Sequence, residues 1–200
     1  MILNNSKIVL ATHNKGKVPE LASLVQPFGC TVISAGELNV SEPIEDGITF
    51  EENALIKARN SAKATGLIAL ADDSGLSVRA LGGRPGIHSA RYAGVSKDFD
   101  VAMDKLHREL EDTTDMTDLS AHFVCALAIV TPDGKEKVFR GEVHGTLVFP
   151  KQGDSGFGFD PVFIPLGHDI TFGQMNPADK HAMSHRADAF KKMLTECFEI

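Results

Sequence analysis

Apolar positions along the chain follow two rhythms, a short continuous run and a three-to-four-residue recurrence, with polar stretches between them. Lys7-Ile8-Val9-Leu10-Ala11 is a run of the first kind and predicts a buried strand. It passes straight into polar residues 12–17, after which Val18, Leu21, Val25 and Phe28 recur at helical spacing. Pro19 suits that helix only in its first turn, where a missing N–H costs nothing. Thr31-Val32-Ile33-Ser34 predicts a second strand. Thr49-Phe50-Glu51-Glu52 is a capping box in which Thr49 and Glu52 satisfy each other's orphan N–H groups, and the helix it opens runs to Thr65 and stops at Gly66. Residues 67–71 and 76–80 predict two strands flanking an acidic turn, Asp72-Asp73-Ser74-Gly75. A third helix starts at Asp98 or Asp100 and aligns Phe99, Ala102, Leu106 and Leu110 on one face. Residues 122–131 and 137–149 predict two long antiparallel strands around the hairpin turn Pro132-Asp133-Gly134-Lys135. The last helix starts at Ser184 and buries Phe190, Leu194 and Phe198.

Between these elements lie an irregular loop at 82–94, a solvated acidic linker at 111–118, a glycine-rich loop at 153–158 and a short apolar segment at 161–165. Strands and helices alternate early and a long hairpin follows, so the expected class is α/β with a mixed sheet. The 200 residues suit one domain spanning 1–200, with room for two lobes. A net charge of −7 argues against a general nucleic-acid surface but leaves room for a phosphorylated small ligand in a locally basic pocket. Cys30, Cys125 and Cys197 are odd in number, widely spaced and without a C-x-x-C, which suits reduced core thiols in the cytoplasm. No apolar run approaches the roughly 20 residues that span a bilayer, and Met1-Ile2-Leu3-Asn4-Asn5-Ser6-Lys7 lacks a signal-peptide layout. A cytoplasmic protein without membrane partners is therefore expected.

Four stretches carry candidate chemistry. The loop Thr12-His13-Asn14-Lys15-Gly16-Lys17 joins a strand to a helix N-terminus, where backbone N–H groups and the helix dipole favour anions. Thr12, Asn14 and Lys17 add hydroxyl, amide and ammonium donors, so the loop is either a polyphosphate cradle or an ordinary polar connection. Asp72 and Asp73 next to a core strand suffer mutual repulsion and desolvation, which a divalent cation relieves. Glu42, Glu45 or Asp46 could add a further oxygen ligand, and the alternative is a plain Asp-Ser-Gly turn. Alternation puts Asp72 and Asp73 on opposite faces if the strand continues, so at most one points at a metal.

Ser184 reads as an N-cap, yet His185 and Arg186 place cationic side chains in a first turn, where an anionic or carbonyl-bearing ligand would offset the dipole. His181 and His185 share a zinc-like spacing but lack a third ligand. In Ser155-Gly156-Phe157-Gly158-Phe159-Asp160-Pro161, the two rings either pack in the core or stack on a flat ligand, with Asp160 as acceptor. Taken together, these parts suit a nucleoside triphosphate.

Thr12-x-Asn14-x-x-Lys17-x-x-Glu20-Leu21, Thr49-Phe50-x-Glu52-Asn53-Ala54 and Lys57-Ala58 resemble the inosine/xanthosine triphosphate pyrophosphatase family of house-cleaning enzymes. So do Ala71-Asp72-Asp73-Ser74-Gly75-Leu76, Pro85-Gly86-x-x-Ser89-Ala90-Arg91-Tyr92, Gly156-Phe157-Gly158-Phe159-Asp160-Pro161 and Ser184-His185-Arg186, all in family order. The resemblance implies Mg²⁺-dependent hydrolysis of ITP, dITP or XTP to the monophosphate and pyrophosphate. It also implies an elongated central mixed β-sheet with flanking helices forming two lobes around a cleft, and a homodimer. By position, Thr12, His13, Asn14, Lys15, Gly16 and Lys17 would hold the triphosphate; Glu45 and Asp73 would bind metal, with Asp73 as general base. Ser74 would touch substrate, and Lys57 and Lys180 would lie near phosphates or base. Phe157, Gly158, Phe159, Asp160, His185 and Arg186 would form the base pocket.

Three positions depart from the family's habit: His88 and Phe159 stand where Tyr is frequent, and Gln174 where Glu is common. The loop 82–94 is accordingly assigned to structure or dimer contact. A haloacid-dehalogenase-like phosphatase would need a D-x-D ending the first strand, which Leu10-Ala11-Thr12 does not supply. A non-catalytic nucleotide sensor would lack an essential carboxylate, whereas Glu45 and Asp73 are both present.

Overall fold

A computed structural model describes residues 1–12, 17–113 and 117–199. Strand β1, Lys7–Leu10, runs parallel to β2, Thr31–Ser34, on one side and to β3, Ile68–Val78, on the other. Ile8 lies opposite Val32 and Ile68. Parallel strands are covered on both faces, and that is why β1 reads as an unbroken apolar run with Ile8, Val9 and Leu10 buried. With β4, Ser120–Val130, β5, Glu136–Leu147, and β6, Phe163–Pro165, the sheet order is β2-β1-β3-β4-β5-β6. The last pair is antiparallel, with Thr146 opposite Ile164, so the sheet is mixed as expected.

The chain forms two compact units. The first comprises Met1–Asp73, Ala126–Arg140 and Ala189–Ile200; the second comprises Ser74–Cys125 and Gly141–Asp188. Strands β3, β4 and β5 contribute residues to both. Val9, Leu70, Leu127, Ile129 and Met193 are among the buried side chains of the first unit. The second is centred on Leu76, Leu106, Phe123, Phe163 and Phe172.

Helix α1, Lys17–Val25, follows the first loop and tightens into a 3₁₀ turn over Gln26–Phe28. Helix α2, Phe50–Thr65, begins where Thr49 Oγ1 accepts the Glu52 N–H at 3.1 Å and ends at Gly66 (φ +67°). The Glu52 carboxylate reaches back one residue further than the capping box requires, accepting the Ile48 N–H at 2.7 Å. Phe50, Ala54, Ala58 and Ala62 form its buried stripe. A four-residue helix, α3, Ser89–Tyr92, interrupts the expected loop, and α4, Phe99–Glu111, is capped by Asp98, which accepts the N–H groups of Asp100 and Val101.

No turn forms at Asp72-Asp73-Ser74-Gly75: β3 is a single strand of 11 residues, and the two short strands expected there are one. The reason lies outside the segment. Strand β1 pairs with β3 only as far as Leu70. Further along, Ser89 Oγ accepts the Leu76 N–H at 2.9 Å, Ser77 bridges Pro85, and the Val78 N–H reaches Arg84 O at 3.2 Å. The 82–94 loop thus takes over from β1 along this edge of β3, while β4 is the strand's neighbour on the other edge. Ser89 is buried and also donates to Gly86 O at 2.7 Å. Ser89→Ala would strand the Leu76 N–H, and an unsatisfied buried donor costs about 1–3 kcal/mol. A fall of that size in urea-unfolding stability is expected; an unchanged midpoint would exclude Ser89 as the clamp.

Helix α5, Pro177–Met183, was not foreseen from sequence; Asn176 Oδ1 caps it by accepting the Ala178 N–H at 2.9 Å. Helix α6, His185–Cys197, starts as predicted, with Ser184 Oγ accepting the Ala187 N–H at 3.2 Å. It buries Phe190 and Met193, and Phe198 just beyond its end is also buried, while Leu194 is only half-buried. Among the described residues, no helix is long and apolar enough to cross a membrane.

Candidate functional site

In the first unit, one ammonium joins two acids. Lys57 of α2 places Nζ 3.0 Å from Glu45 Oε2 and 3.3 Å from Asp73 Oδ1. The side chains of Lys57 and Asp73 are only 16% and 15% exposed, against 40% for Glu45. The loop carrying Glu45 is pinned to α2 from several points. Buried Asn53 accepts the Gly47 N–H through Oδ1 at 2.9 Å, and Asn60 Nδ2 donates to Ser41 O at 2.8 Å. A Cβ at Gly47 would come within 2.7 Å of Asn53 Oδ1, so only glycine allows this approach.

Burial is the main influence on Asp73, and the negative Glu45 adds to it; together they outweigh the Lys57 ammonium and push its pKa up to about 6. Burial works against the Lys57 charge, but Asp73, Glu45 and Asp72 prevail and hold its pKa above the ordinary lysine value. The extended strand puts Asp72 and Asp73 on opposite faces, and Asp73 is the one that meets Lys57. Its other oxygen, Oδ2, is buried and accepts no hydrogen bond from the described residues. An orphaned buried acceptor of this kind calls for a missing partner.

The chemistry of this carboxylate pair fits a hard cation. Mg²⁺ takes one or two protein carboxylates and completes its shell with phosphate oxygens and water. Glu45 and Asp73 supply that number, and among the described residues no cluster of three or more acid, His or Cys side chains offers an all-protein cage. Beside them lies a cavity of about 30 Å³ lined by Ala11, Ser41, Glu45, Lys57 and Ser61 among others, roomy enough for a water molecule. Thr12, two residues beyond the end of β1, is half-buried. His13, Asn14, Lys15, Gly16 and the side chain of Lys17 lie outside the described residues.

The second unit gathers the remaining candidates. Asp160 is buried, and its Oδ2 accepts the Phe157 N–H at 2.7 Å and Lys180 Nζ of α5 at 2.5 Å. Burial raises the Asp160 pKa, with Lys180 and Arg186 acting in the opposite direction. Gly156 has φ +80°, and a Cβ there would meet Asp160 Oδ2 at 2.2 Å, so the turn closes directly onto the carboxylate. Phe157 and Phe159 do face opposite ways. The Phe157 ring is 62% exposed with Lys180 Nζ 4.4 Å from its centroid, whereas Phe159 is buried edge-on against Phe99.

His185 is also buried, stacked on Phe123 at 5.1 Å, and Arg186 beside it is half-buried. The zinc-like histidine spacing has no structural counterpart: His181 belongs to α5 and His185 to α6, with the extended Ser184 between them. Ser74 is half-buried and directly follows Asp73 on β3. Sequence reasoning overlooked Asn53 and Asn60 as loop anchors. A buried Asn on the alanine-rich stripe of α2 was the available signal for the first.

The mixed-sheet α/β fold places the chain in a known structural class. It is similar to a HAM1 protein from Coxiella burnetii, at 38% identity and a TM-score of 0.90 over 98% of both chains. A nucleoside-triphosphatase / dITP/XTP pyrophosphatase from Mycobacterium abscessus is 41% identical with a TM-score of 0.81, covering 94% of this chain and 98% of that one. The Ham1 family model matches residues 8–196, and the chain belongs to that family. Among curated relatives, the dITP/XTP pyrophosphatase of Caulobacter vibrioides is 54% identical over 97% of this chain and 99% of its own. That of Rhodospirillum centenum is 54% identical over 96% and 94%.

Proposed function

We propose that this protein is an Mg²⁺-dependent nucleoside triphosphate pyrophosphatase. It hydrolyses non-canonical purine nucleotides (dITP, ITP and XTP) to the monophosphate and pyrophosphate, and so keeps them out of DNA and RNA. The observation that carries this reading is the largely buried Asp73 carboxylate, with one oxygen on Lys57 and the other, buried, accepting no hydrogen bond from the described residues. The names of the 54%-identical relatives support the substrate class. Three buried free cysteines suit action in the reducing cytoplasm, and the enzyme works there as a homodimer.

Glu45 and Asp73 would hold Mg²⁺, which when bound supplies charge neutralisation on the phosphate oxygens. Thr12, Lys17 and the loop residues 13–16 bind the triphosphate, with the helix N-terminus contributing N–H groups and a favourable dipole. Lys57 neutralises negative charge that grows on the departing pyrophosphate, and Ser74 contacts the substrate. Asp73 orients a water for attack on the α-phosphorus and takes its proton. Burial favours that role by raising the basicity of the carboxylate towards neutrality.

Base recognition falls to the second cluster. Phe157 offers an exposed ring face, and Asp160 fixes both the Gly156–Phe157 turn and Lys180. Lys180 and Arg186 present donors to a 6-oxo group, which hypoxanthine and xanthine have; adenine carries a donor at that position and would leave buried groups unpaired. A site of this type can discriminate by roughly 10⁴. Phe159 and His185 contribute as packed supports behind the pocket, since both rings are buried against other aromatics.

Incubation with dITP and Mg²⁺ tests the reading. Pyrophosphate and dIMP in equal amounts are expected; orthophosphate would indicate a phosphatase instead, and no product a binding protein.

A further inference from the structure

Lys57 stands against the same two acids, Glu45 and Asp73, that would hold a metal. Its Nζ sits 3.0 Å from one carboxylate and 3.3 Å from the other, so the acid pair already has a counter-ion. Mg²⁺ approaches its oxygen ligands to about 2.0–2.1 Å. A cation that close to the same two acids would face an ammonium within a few ångströms, and the repulsion is poorly screened where Lys57 is only 16% exposed. The helix backbone cannot give way. Lys57 lies within the 16-residue α2, whose start is held by the Thr49 cap and whose buried stripe is packed. The lysine side chain can move, and leaving the acids strips its charge of these two partners unless a new anion receives it.

We propose that Lys57 is a resident counter-ion that keeps free divalent cations off the acid pair, so that metal loads only together with the triphosphate. The triphosphate brings the negative charge that draws the ammonium away as the cation arrives. Departure of the pyrophosphate then returns Lys57 to Glu45 and Asp73. This rests on the reading that Glu45 and Asp73 form the metal site.

Titration of the nucleotide-free protein with Mn²⁺, followed by electron paramagnetic resonance of the free ion, separates the two ideas without any turnover. Lys57→Met, and Lys57→Gln as a second variant in case the first fails to fold, are each expected to bind Mn²⁺ at least tenfold more tightly than the wild type. Adding Glu45→Gln to either should abolish the gain. If neither variant binds Mn²⁺ more tightly than the wild type, the counter-ion proposal is overturned. In that case weaker wild-type binding after Glu45→Gln alone would leave the metal site standing. A gain that survives Glu45→Gln would instead remove the acid pair itself as the metal site, and the proposal with it.

Discussion

Asp73→Asn is expected to lower turnover of dITP about 10²–10⁴-fold, the usual contribution of a positioned general base. Binding of a non-hydrolysable triphosphate analogue should change far less, because the loop at residues 12–17 and Lys57 remain. The same substitution should alter stability in a pH-dependent way. With its pKa raised from 3.8 to about 6, the folded protein holds the Asp73 proton more tightly than the unfolded chain does. The stabilising effect of protonation is therefore fully present below the unfolded value and is lost as pH rises through about 6. At pH 7 the ionised carboxylate costs on the order of 2–3 kcal/mol in the metal-free protein. Thermal melts without metal should fall across that window in the wild type and stay flatter in the Asn variant. Near-normal turnover in Asp73→Asn would remove Asp73 as the base; identical melting profiles would remove the buried charge as a source of strain.

The second large effect is expected at Asp160. Its side chain is 3% exposed and that of Lys180 12%, so the pair is withdrawn from water. Asp160→Ala would leave an ammonium and the Phe157 N–H without their shared acceptor. Breaking one side of a buried pair costs about 3–5 kcal/mol. Preference for dITP over dATP, read as the ratio of kcat/KM, should collapse as Lys180 and Phe157 lose their common anchor. Asp160→Asn with Lys180→Met removes both charges together and should recover most of the stability without recovering the preference. Stability loss with an intact preference would move base recognition elsewhere.

The parts of the fold legible in sequence are those whose signal is local. Strands β1 and β2 fell within a residue of their predicted ends because a buried strand is written as an apolar run. Helix α2 was bounded at both ends by its own cap and glycine. The acidic turn went the other way. Asp-Ser-Gly favours a turn locally, but Ser89, 13 residues from Leu76, supplies a strand-edge partner that no short window contains. Helix α5 has seven residues and none buried, so it carries no apolar stripe to read.

The candidate site divides in the same way. Its chemical types were legible, including the acids, the lysines and the aromatic-glycine loop. What joins them was not: Lys57 and Asp73 are 16 residues apart, and Asp160 and Lys180 are 20 apart. Sequence also left open which of Phe157 and Phe159 faces solvent, and packing of the Phe159 ring on Phe99 decides it.

The closeness of Gly156 to Asp160 has a bearing on how substrate choice in this family can drift. Any side chain at 156 would have to pass through the carboxylate that anchors Lys180. Evolution, or an engineer seeking an enzyme for bulkier damaged bases, is thus barred from widening the cleaning repertoire at this position. Change must enter instead through the outward ring at 157, where a new shape meets chiefly solvent and the Lys180 ammonium.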